Sequence, residues 1–522
     1  MWRRGIAVQL GALVAIGLSL RVWVLLGTQR LSADEAIPGL MARHIFYAHE
    51  LPVFYWGQTY FGALESYLLA ALFGVLGFHP WLVFAPATLA SVALIPLTWM
   101  LAEYLGPSPA GLIAAVPVAI TPPVLGRLLV NAGGGFALGF ALQLTTLLLV
   151  MRSMRASSPR FGTLALAGLA GGAAAWVWQP AMLTLPLLLI VPFASVHQFR
   201  STRGLACVTP VLVGLLPMLV YNAASDWPTA TALLRKFDQQ SLPVAGLLAQ
   251  IQQFTSTTLV ALGGGDESFG GSNPAESVVL AAVLIVGPVL MTWHAWRRPC
   301  SVSRQRVTSM AVLVVATTVG LVVAHGGARY LVGVFLAAAA LSGATWGLLV
   351  QRAPRAGHAL VSVWLVACVI PNLAGYANLR VVMPPDHLSG LDETHAALEA
   401  LEQRGLTTGY ADYWTAYPIT YVSGEQVIAA PSLPPLYSGR LDRYPAYTAQ
   451  VDAVADARRL FLLVDARCAA QAYLDSLTSE GATYRADPVA RWVLIWDIQP
   501  PRGDEGGVLA AVRAAISSQQ TC

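Results

Sequence analysis

Long apolar runs dominate this chain and leave it few choices of fold. A helix needs about 20 mostly apolar residues to cross the hydrocarbon layer. Runs of that kind fall at roughly 5–27, 81–104, 109–127, 134–151, 161–178, 181–197, 204–222, 277–296, 308–325, 330–350 and 357–376. In lipid every backbone donor and acceptor must be satisfied within the segment, which favours helices. The sequence therefore predicts an all-α polytopic membrane protein of about 11 transmembrane helices over 1–376, followed by a C-terminal α/β domain over 377–522. Hydrophobic residues make up 56% of the chain, charged residues 11%, and the mean hydropathy is +0.61, which excludes ordinary soluble globular usage. Lys236 is the only lysine, and the arginines form no cluster of the kind nucleic acid requires, so nucleic acid is excluded as a partner. The arginine-for-lysine bias points to a GC-rich bacterial genome, and hence to the bacterial inner membrane.

Orientation follows from where the arginines lie. Residues 63–78 are apolar but short, and they carry Glu65. If they do not cross, and Arg3 and Arg4 are cytoplasmic, then Arg152/Arg155/Arg160, Arg200/Arg203, Arg297/Arg298/Arg304/Arg306 and Arg352/Arg355 all fall inside. If they do cross, every one of these loops lands outside, against the positive-inside bias. The reading is therefore an interfacial helix at 63–78, a cytoplasmic N-terminus and an extracytoplasmic tail. The N-terminal 20 residues lack a clear small-residue cleavage site and read as an uncleaved first span.

The charge that the spans avoid is concentrated in residues 31–67, LSADEAIPGLMARHIFYAHELPVFYWGQTYFGALESY. Asp34, Glu35, Arg43, His44, Glu50 and Glu65 lie there among Tyr55, Trp56 and Gln58. Charge close to a bilayer is costly unless hydrated or paired, so such residues are candidates for function. Ser32-x-x-Glu35 has the form of a capping box. Pro38 argues for a later start, in the first turn of a helix running to about His49. That leaves Asp34 and Glu35 on irregular backbone just before the helix.

Three further outer segments carry polar groups. TPPVLGRLLVNAGGG (121–135) should bend at its prolines and glycines and present Arg127 and Asn131. The loop 222–276 holds Asp226, Arg235, Lys236, Asp238 and a glycine-rich stretch. HGGARY places His325, Arg329 and Tyr330 at the mouth of a late span. In the tail, a helix is expected at 391–404, strands at 407–411, 425–430, 460–465 and 491–498, and a helix at 505–517. The segment 409–425, GYADYWTAYPITYVSGE, is rich in Tyr and Trp and reads either as a sugar-stacking surface or as domain core. Cys468 and Cys522 lie in the polar tail and are available to pair if the tail is outside, a pairing the sequence leaves open; the five cysteines have no metal-type spacing.

A first span, an outer loop with an Asp-Glu pair and then an interfacial helix resembles the GT-C fold glycosyltransferases that use polyprenyl-phosphate sugars. This superfamily includes the protein O-mannosyltransferases and the aminoarabinose transferases of lipid A. The likeness covers about residues 1–350 in layout and is sharp at LSADEA and at Arg329-Tyr330. It implies that Asp34 is the catalytic general base, with Glu35 as its partner, and that Arg329 lies near the lipid phosphate. Where many members carry a second acidic residue, this chain has Asn131, which cannot act as a base and shifts weight onto Asp34 and Glu65. Arg43, His44, Tyr55, Trp56, Gln58, Glu65, Arg127, Asn131, Lys236, Arg329 and Tyr330 are the candidate substrate-binding residues. The expected partners are a polyprenyl-phosphate-linked sugar donor, a cell-envelope acceptor (glycan, glycolipid or protein) and the bilayer. No cofactor or metal is expected to be required, although Asp34, Glu35, His44 and Glu65 have the chemistry to hold a divalent cation. The rival reading is a polytopic transporter or flippase of lipid-linked sugars.

Overall fold

The computed structural model describes residues 2–28, 31–155, 161–182, 202–239, 331–379, 390–433, 442–454, 456–466, 470–479 and 481–499, with 289, 290 and 293. In chain order its helices are α1 (Trp2–Thr28), α2 (Ala33–Tyr47), α3 (Leu64–Leu76), α4 (Ala85–Leu105), α5 (Ala110–Ala119), α6 (Pro123–Val130), α7 (Phe136–Arg155), α8 (Phe161–Val177), α9 (Thr202–Ala224), α10 (Pro228–Gln239), α11 (Leu331–Arg352) and α12 (Pro354–Ala377). The tail follows as α13 (Leu391–Glu402), β1 (Thr408–Asp412), α14 (Tyr413–Val422), β2 (Ile428–Leu433), α15 (Pro445–Asp452), β3 (Leu460–Asp465), α16 (Ala470–Ser479), β4 (Thr483–Val489) and β5 (Trp492–Gln499). By contacts the chain divides into two compact units. One comprises Met1–Thr28, Thr59–Glu65 and Phe84–Pro384; the other comprises Gln29–Gln58, Ser66–Val83 and Pro385–Cys522.

In the first unit, five helices among the described residues are long and apolar enough to cross a membrane: Gly5–Gly27, Pro80–Leu105, Phe136–Ser153, Val332–Arg352 and Pro354–Ala377. They match the expected runs 5–27, 81–104, 134–151, 330–350 and 357–376. The run 109–127 is not one straight span. It is α5 and α6, which meet at 81° and would make a sixth span only if the bent pair crosses as one. The expected spans at 181–197, 277–296 and 308–325 lie largely outside the described residues. Helix α3 has 13 residues, so at about 1.5 Å per residue it is roughly 20 Å long, less than the hydrocarbon thickness.

Two adjacent prolines cause the 81° bend, because neither Pro122 nor Pro123 has an N–H to continue α5. The carbonyls they would have served are those of Val118 and Ala119. Arg21, fully buried on α1, reaches both, with Nη2 donating to Val118 at 3.2 Å and Nη1 to Ala119 at 3.3 Å. The same guanidinium donates to the Ser91 hydroxyl on α4 and to its own Gly17 carbonyl at 2.9 Å. Asn372 of α12 takes the next carbonyl, Ile120, at 3.0 Å, and the hydroxyls of Tyr376 and Thr121 share a hydrogen bond of 3.2 Å. One arginine, which sequence reading passed over, thus closes the backbone accounting of a broken helix inside an apolar bundle.

Elsewhere in this unit helices approach through small residues, as bundles in lipid do. A Cβ on Gly343 of α11 would lie 2.5 Å from the Ala110 carbonyl, and one on Gly347 2.5 Å from that of Pro107.

In the second unit a five-stranded sheet runs in the order β2-β1-β3-β5-β4. β1 is parallel to β2 and β3, while β5 is antiparallel to β3 and β4. The fully buried strand LFLLVD sits at the centre, and Phe461, Leu463, Trp492 and Leu494 pack with Leu401, Ala416 and Ile419. Four strands fall where the sequence places them, within three residues. β2 starts later than expected because Gly424 and Glu425 form a left-handed turn, with φ of 61° and 63°. Sequence reading missed β4, TYRADPV, an edge strand too polar and too exposed to show apolar alternation. The helix expected at 505–517 and both Cys468 and Cys522 lie outside the described residues.

Breaking the Arg21 network should cost more than any change at the helix surface. Arg21→Leu leaves two or more buried carbonyls without a donor, at about 2–5 kcal/mol in total. Thermal unfolding in detergent, followed by intrinsic fluorescence, should show a clear drop in Tm; an unchanged Tm would mean that water or lipid headgroups satisfy the bend.

Candidate active site

Helix α2 begins at Ala33, five residues before the start expected from Pro38, so Asp34 and Glu35 lie in its first turn rather than on irregular backbone. The capping box explains the difference. The Ser32 amide donates to the Glu35 carboxylate at 2.5 Å, and the Ser32 carbonyl accepts the first helical bonds from Glu35 and Ala36 at 3.2 and 2.9 Å. Pro38 then falls inside the helix and deprives the Asp34 carbonyl of its i+4 donor. The carboxylate of Glu35 is buried and turned back on its own helix terminus. Asp34 is the one exposed residue between Leu31 and Ala42.

Tyr413, the first residue of α14, donates its hydroxyl to Asp34 Oδ1 at 3.0 Å. Tyr413, Tyr417 and Tyr421 follow at helical spacing on one face, and all three are buried. This overturns the reading of 409–425 as a sugar-stacking surface; the segment is core. Each hydroxyl has a distinct partner. That of Tyr417 accepts from the amides of Arg443 and Tyr444 at 2.7 and 3.1 Å, and that of Tyr421 donates to the Pro80 carbonyl at 3.0 Å. Tyr421 lies across α2 at Gly39, where a Cβ would collide with its ring. Burial, with the Asp34 charge adding to it, pushes the Tyr413 hydroxyl far above the usual phenol range and keeps it a neutral donor. Arg443 Nε lies 3.5 Å from the Tyr413 oxygen, and its Nη1 donates to the Gly57 carbonyl at 3.1 Å.

The other end of α2 is held by charge. Glu425 accepts from Arg43 Nε at 3.1 Å, from His44 Nε2 at 2.8 Å and from the Tyr447 hydroxyl at 2.7 Å. His44 Nδ1 faces Glu50 at 2.9 Å. Trp56 stacks on Tyr444 with centroids 4.0 Å apart and meets His44 edge-on at 4.9 Å. Arg43 also sits over the Phe78 ring at 4.5 Å. Burial alone would raise Glu425, but the His44 and Tyr447 hydrogen bonds and the nearby positive charge bring it down to about 2. Burial alone would lower His44, but its two carboxylate partners raise it above its ordinary 6.5.

Other expected residues fall as follows. Tyr55 is buried and its carbonyl accepts from the Gln58 amide at 3.0 Å; Gln58 Oε1 is buried without a hydrogen-bond partner among the described residues. In the first unit, Glu65 is buried and accepts from the Gly135 amide at 3.1 Å, and Asn131 closes a turn onto Gly133 at 2.6 Å. Arg127 Nη1 is buried with no hydrogen-bond partner among the described residues. Lys236 belongs to α10, but its side chain lies outside the described residues, as do Arg329 and Tyr330 entirely. No group of three or more potential metal ligands occurs among the described residues. Sequence reading missed Tyr413, Glu425, Arg443, Tyr444 and Tyr447. The i, i+4 spacing of Tyr413, Tyr417 and Tyr421 was the one available signal.

Known structures share this architecture, although no protein-family model and no curated protein sequence matches the chain. ArnT from Cupriavidus metallidurans bound to undecaprenyl phosphate aligns with a TM-score of 0.63 at 11% identity, over 93% of this chain and 97% of that one. The Archaeoglobus fulgidus oligosaccharyltransferase in complex with Zn and sulfate aligns at 0.55 and 13% identity, over 95% and 74%. Arabinofuranosyltransferase AftD from Mycobacteria aligns at 0.52 and 18% identity, over 95% of this chain but 40% of that one. At such identities the likeness is one of fold, and the fold is the GT-C fold that LSADEA and its surroundings suggest.

The His44–Glu425 pair makes stability depend on pH. The lowered Glu425 contributes above its ordinary value of 4.5 and loses that contribution as pH falls toward 2. The raised His44 contributes below 6.5 and loses that as pH rises through its folded value. The stability difference between wild type and Glu425→Gln should therefore be widest at about pH 5–6 and narrow, without vanishing, as pH rises through the folded His44 value, because Arg43 still pairs there. Thermal melts across that range test this; a gap that does not vary with pH would mean His44 stays neutral.

Proposed function

We propose that the chain is a membrane glycosyltransferase that moves a sugar from a polyprenyl-phosphate donor to a cell-envelope acceptor on the extracytoplasmic face, with Asp34 as general base. The observation that carries this is the setting of Asp34: an exposed carboxylate in the first turn of an otherwise buried helix, held by a tyrosine hydroxyl, in a chain with the GT-C fold. Undecaprenyl phosphate in the ArnT structure and dolichol phosphate in that of archaeal AglB support a lipid-phosphate donor.

In this reaction the acceptor hydroxyl attacks the anomeric carbon, Asp34 takes its proton, and the bond to the lipid phosphate breaks with its electrons going to the phosphate. Attack opposite the leaving group inverts the anomeric centre. A well-placed base typically contributes about 10²–10⁴-fold. Negative charge gathering on the departing phosphate calls for cations, ideally planar arginine donors. Arg127, whose Nη1 has no partner among the described residues, Lys236 and Arg329 are the candidates. Glu35, engaged in capping α2, supports the base by fixing the turn that carries it.

Asp34→Asn keeps the size and removes the base. In membranes supplied with radiolabelled polyprenyl-phosphate sugars, transfer should fall by about 10²-fold or more at unchanged protein level. Equal transfer by both proteins would show that Asp34 is structural.

A further inference from the structure

We propose that Tyr413 is a positioning residue for the Asp34 carboxylate, so that the C-terminal domain supplies part of the catalytic centre. The inference rests on the reading of Asp34 as the base.

Tyr413 is built to be immobile. It is the residue immediately after β1, its ring is buried, and the preceding Asp412 caps α14 by accepting from the Trp414 amide at 2.8 Å and the Thr415 hydroxyl at 2.7 Å. A hydroxyl has one proton to give and lone pairs to accept with. Arg443 Nε addresses the Tyr413 oxygen from 3.5 Å, which leaves the proton for Asp34 Oδ1 at 3.0 Å. Arg443 is itself fixed at both ends, its amide on the Tyr417 hydroxyl at 2.7 Å and its Nη1 on the Gly57 carbonyl at 3.1 Å. Gly57 is at φ +65°, and a Cβ there would lie 2.8 Å from the Arg443 Cδ. The order Arg443, Tyr413, Asp34 thus runs from a cation through a neutral hydroxyl to a carboxylate, and each link polarises the next. One carboxylate oxygen is held by this chain of bonds. The other has no hydrogen-bond partner among the described residues and can receive the acceptor's proton.

A base works only in the right orientation: a reacting geometry held to within a fraction of an ångström is a large part of what a site contributes. Asp34 needs such support from outside α2, because Pro38 removes a backbone bond from its turn. Tyr413 provides it from the tail.

The test is Tyr413→Phe, which keeps the ring and removes only the hydroxyl. It should lower kcat about tenfold, with KM for the lipid donor within about twofold of wild type. In an Asp34→Asn background the same change should have no further effect, because a hydroxyl acting through the carboxylate has nothing left to orient. Should turnover of Asp34→Asn fall below detection, Asp34→Glu serves as the background, and there the effect of Tyr413→Phe should shrink. The probes are undecaprenyl-phosphate sugars, hexose and pentose, with transfer read by radiolabel. Arg443→Met provides a second route that spares the Tyr413 ring; its loss of rate should be smaller and should disappear in Tyr413→Phe. An equal loss from Tyr413→Phe in both Asp34 backgrounds, or none in wild type, would overturn the proposal. If Asp34→Asn transfers at the wild-type rate, the base assignment fails and this proposal with it. If Asp34→Asn is impaired and Tyr413→Phe is not, only the role of Tyr413 fails.

Discussion

The carboxylate of Glu425 is the contact on which the arrangement around Asp34 depends. It gathers Arg43, His44 and Tyr447 onto one residue in a left-handed turn just beyond α14. Three contacts in step then align α2 with α14: Tyr413 with Asp34, Tyr421 with Gly39, and Glu425 with Arg43 and His44. The two helices run side by side in the same direction. Charge fixes one end of the pair, and a single neutral hydroxyl addresses the other, where chemistry is proposed. The strong contacts lie away from the exposed carboxylate, so Asp34 is held without being neutralised by a salt bridge among the described residues.

Proline sets the terms in both units. In the bundle, Pro122 and Pro123 separate α5 from α6, and a buried guanidinium donates to the carbonyls they strand. In α2, Pro38 weakens the turn that carries Asp34, and the capping box and Tyr413 compensate. Only in the bundle is the missing N–H itself replaced by a side chain distant in sequence, because an apolar surround has no water to do so.

The sequence displays the polytopic class, the position of the acidic turn and four of the five strands, since these depend on hydropathy and local periodicity. The start of α2 is misread because Pro38 and the capping box give opposing signals, and propensity alone does not show that the cap prevails. β4 is hidden by its polar edge character. Tyr413, Glu425 and Arg21 act through partners tens to hundreds of residues away, and no local pattern encodes such pairing. The aromatics of 409–425 drew notice for their rings, whereas their hydroxyls are what the fold uses.

Arg21 has a further consequence, for the order in which the protein is made. Its carbonyl partners on α5 are 97 and 98 residues downstream. Chain growth at about 5–20 residues per second leaves the first span without them for roughly 5–20 s. An arginine at the very centre of an inserting helix costs about 2.5–3.5 kcal/mol, and one nearer the helix end, as Arg21 is, costs less. Arg21 lies seven residues from the end of α1 at Thr28, close enough for its long side chain to reach the headgroups meanwhile. The nascent first helix is therefore anchored by an interfacial charge that the finished bundle later draws inward, which makes the docking of α5 a step in which a charge leaves water.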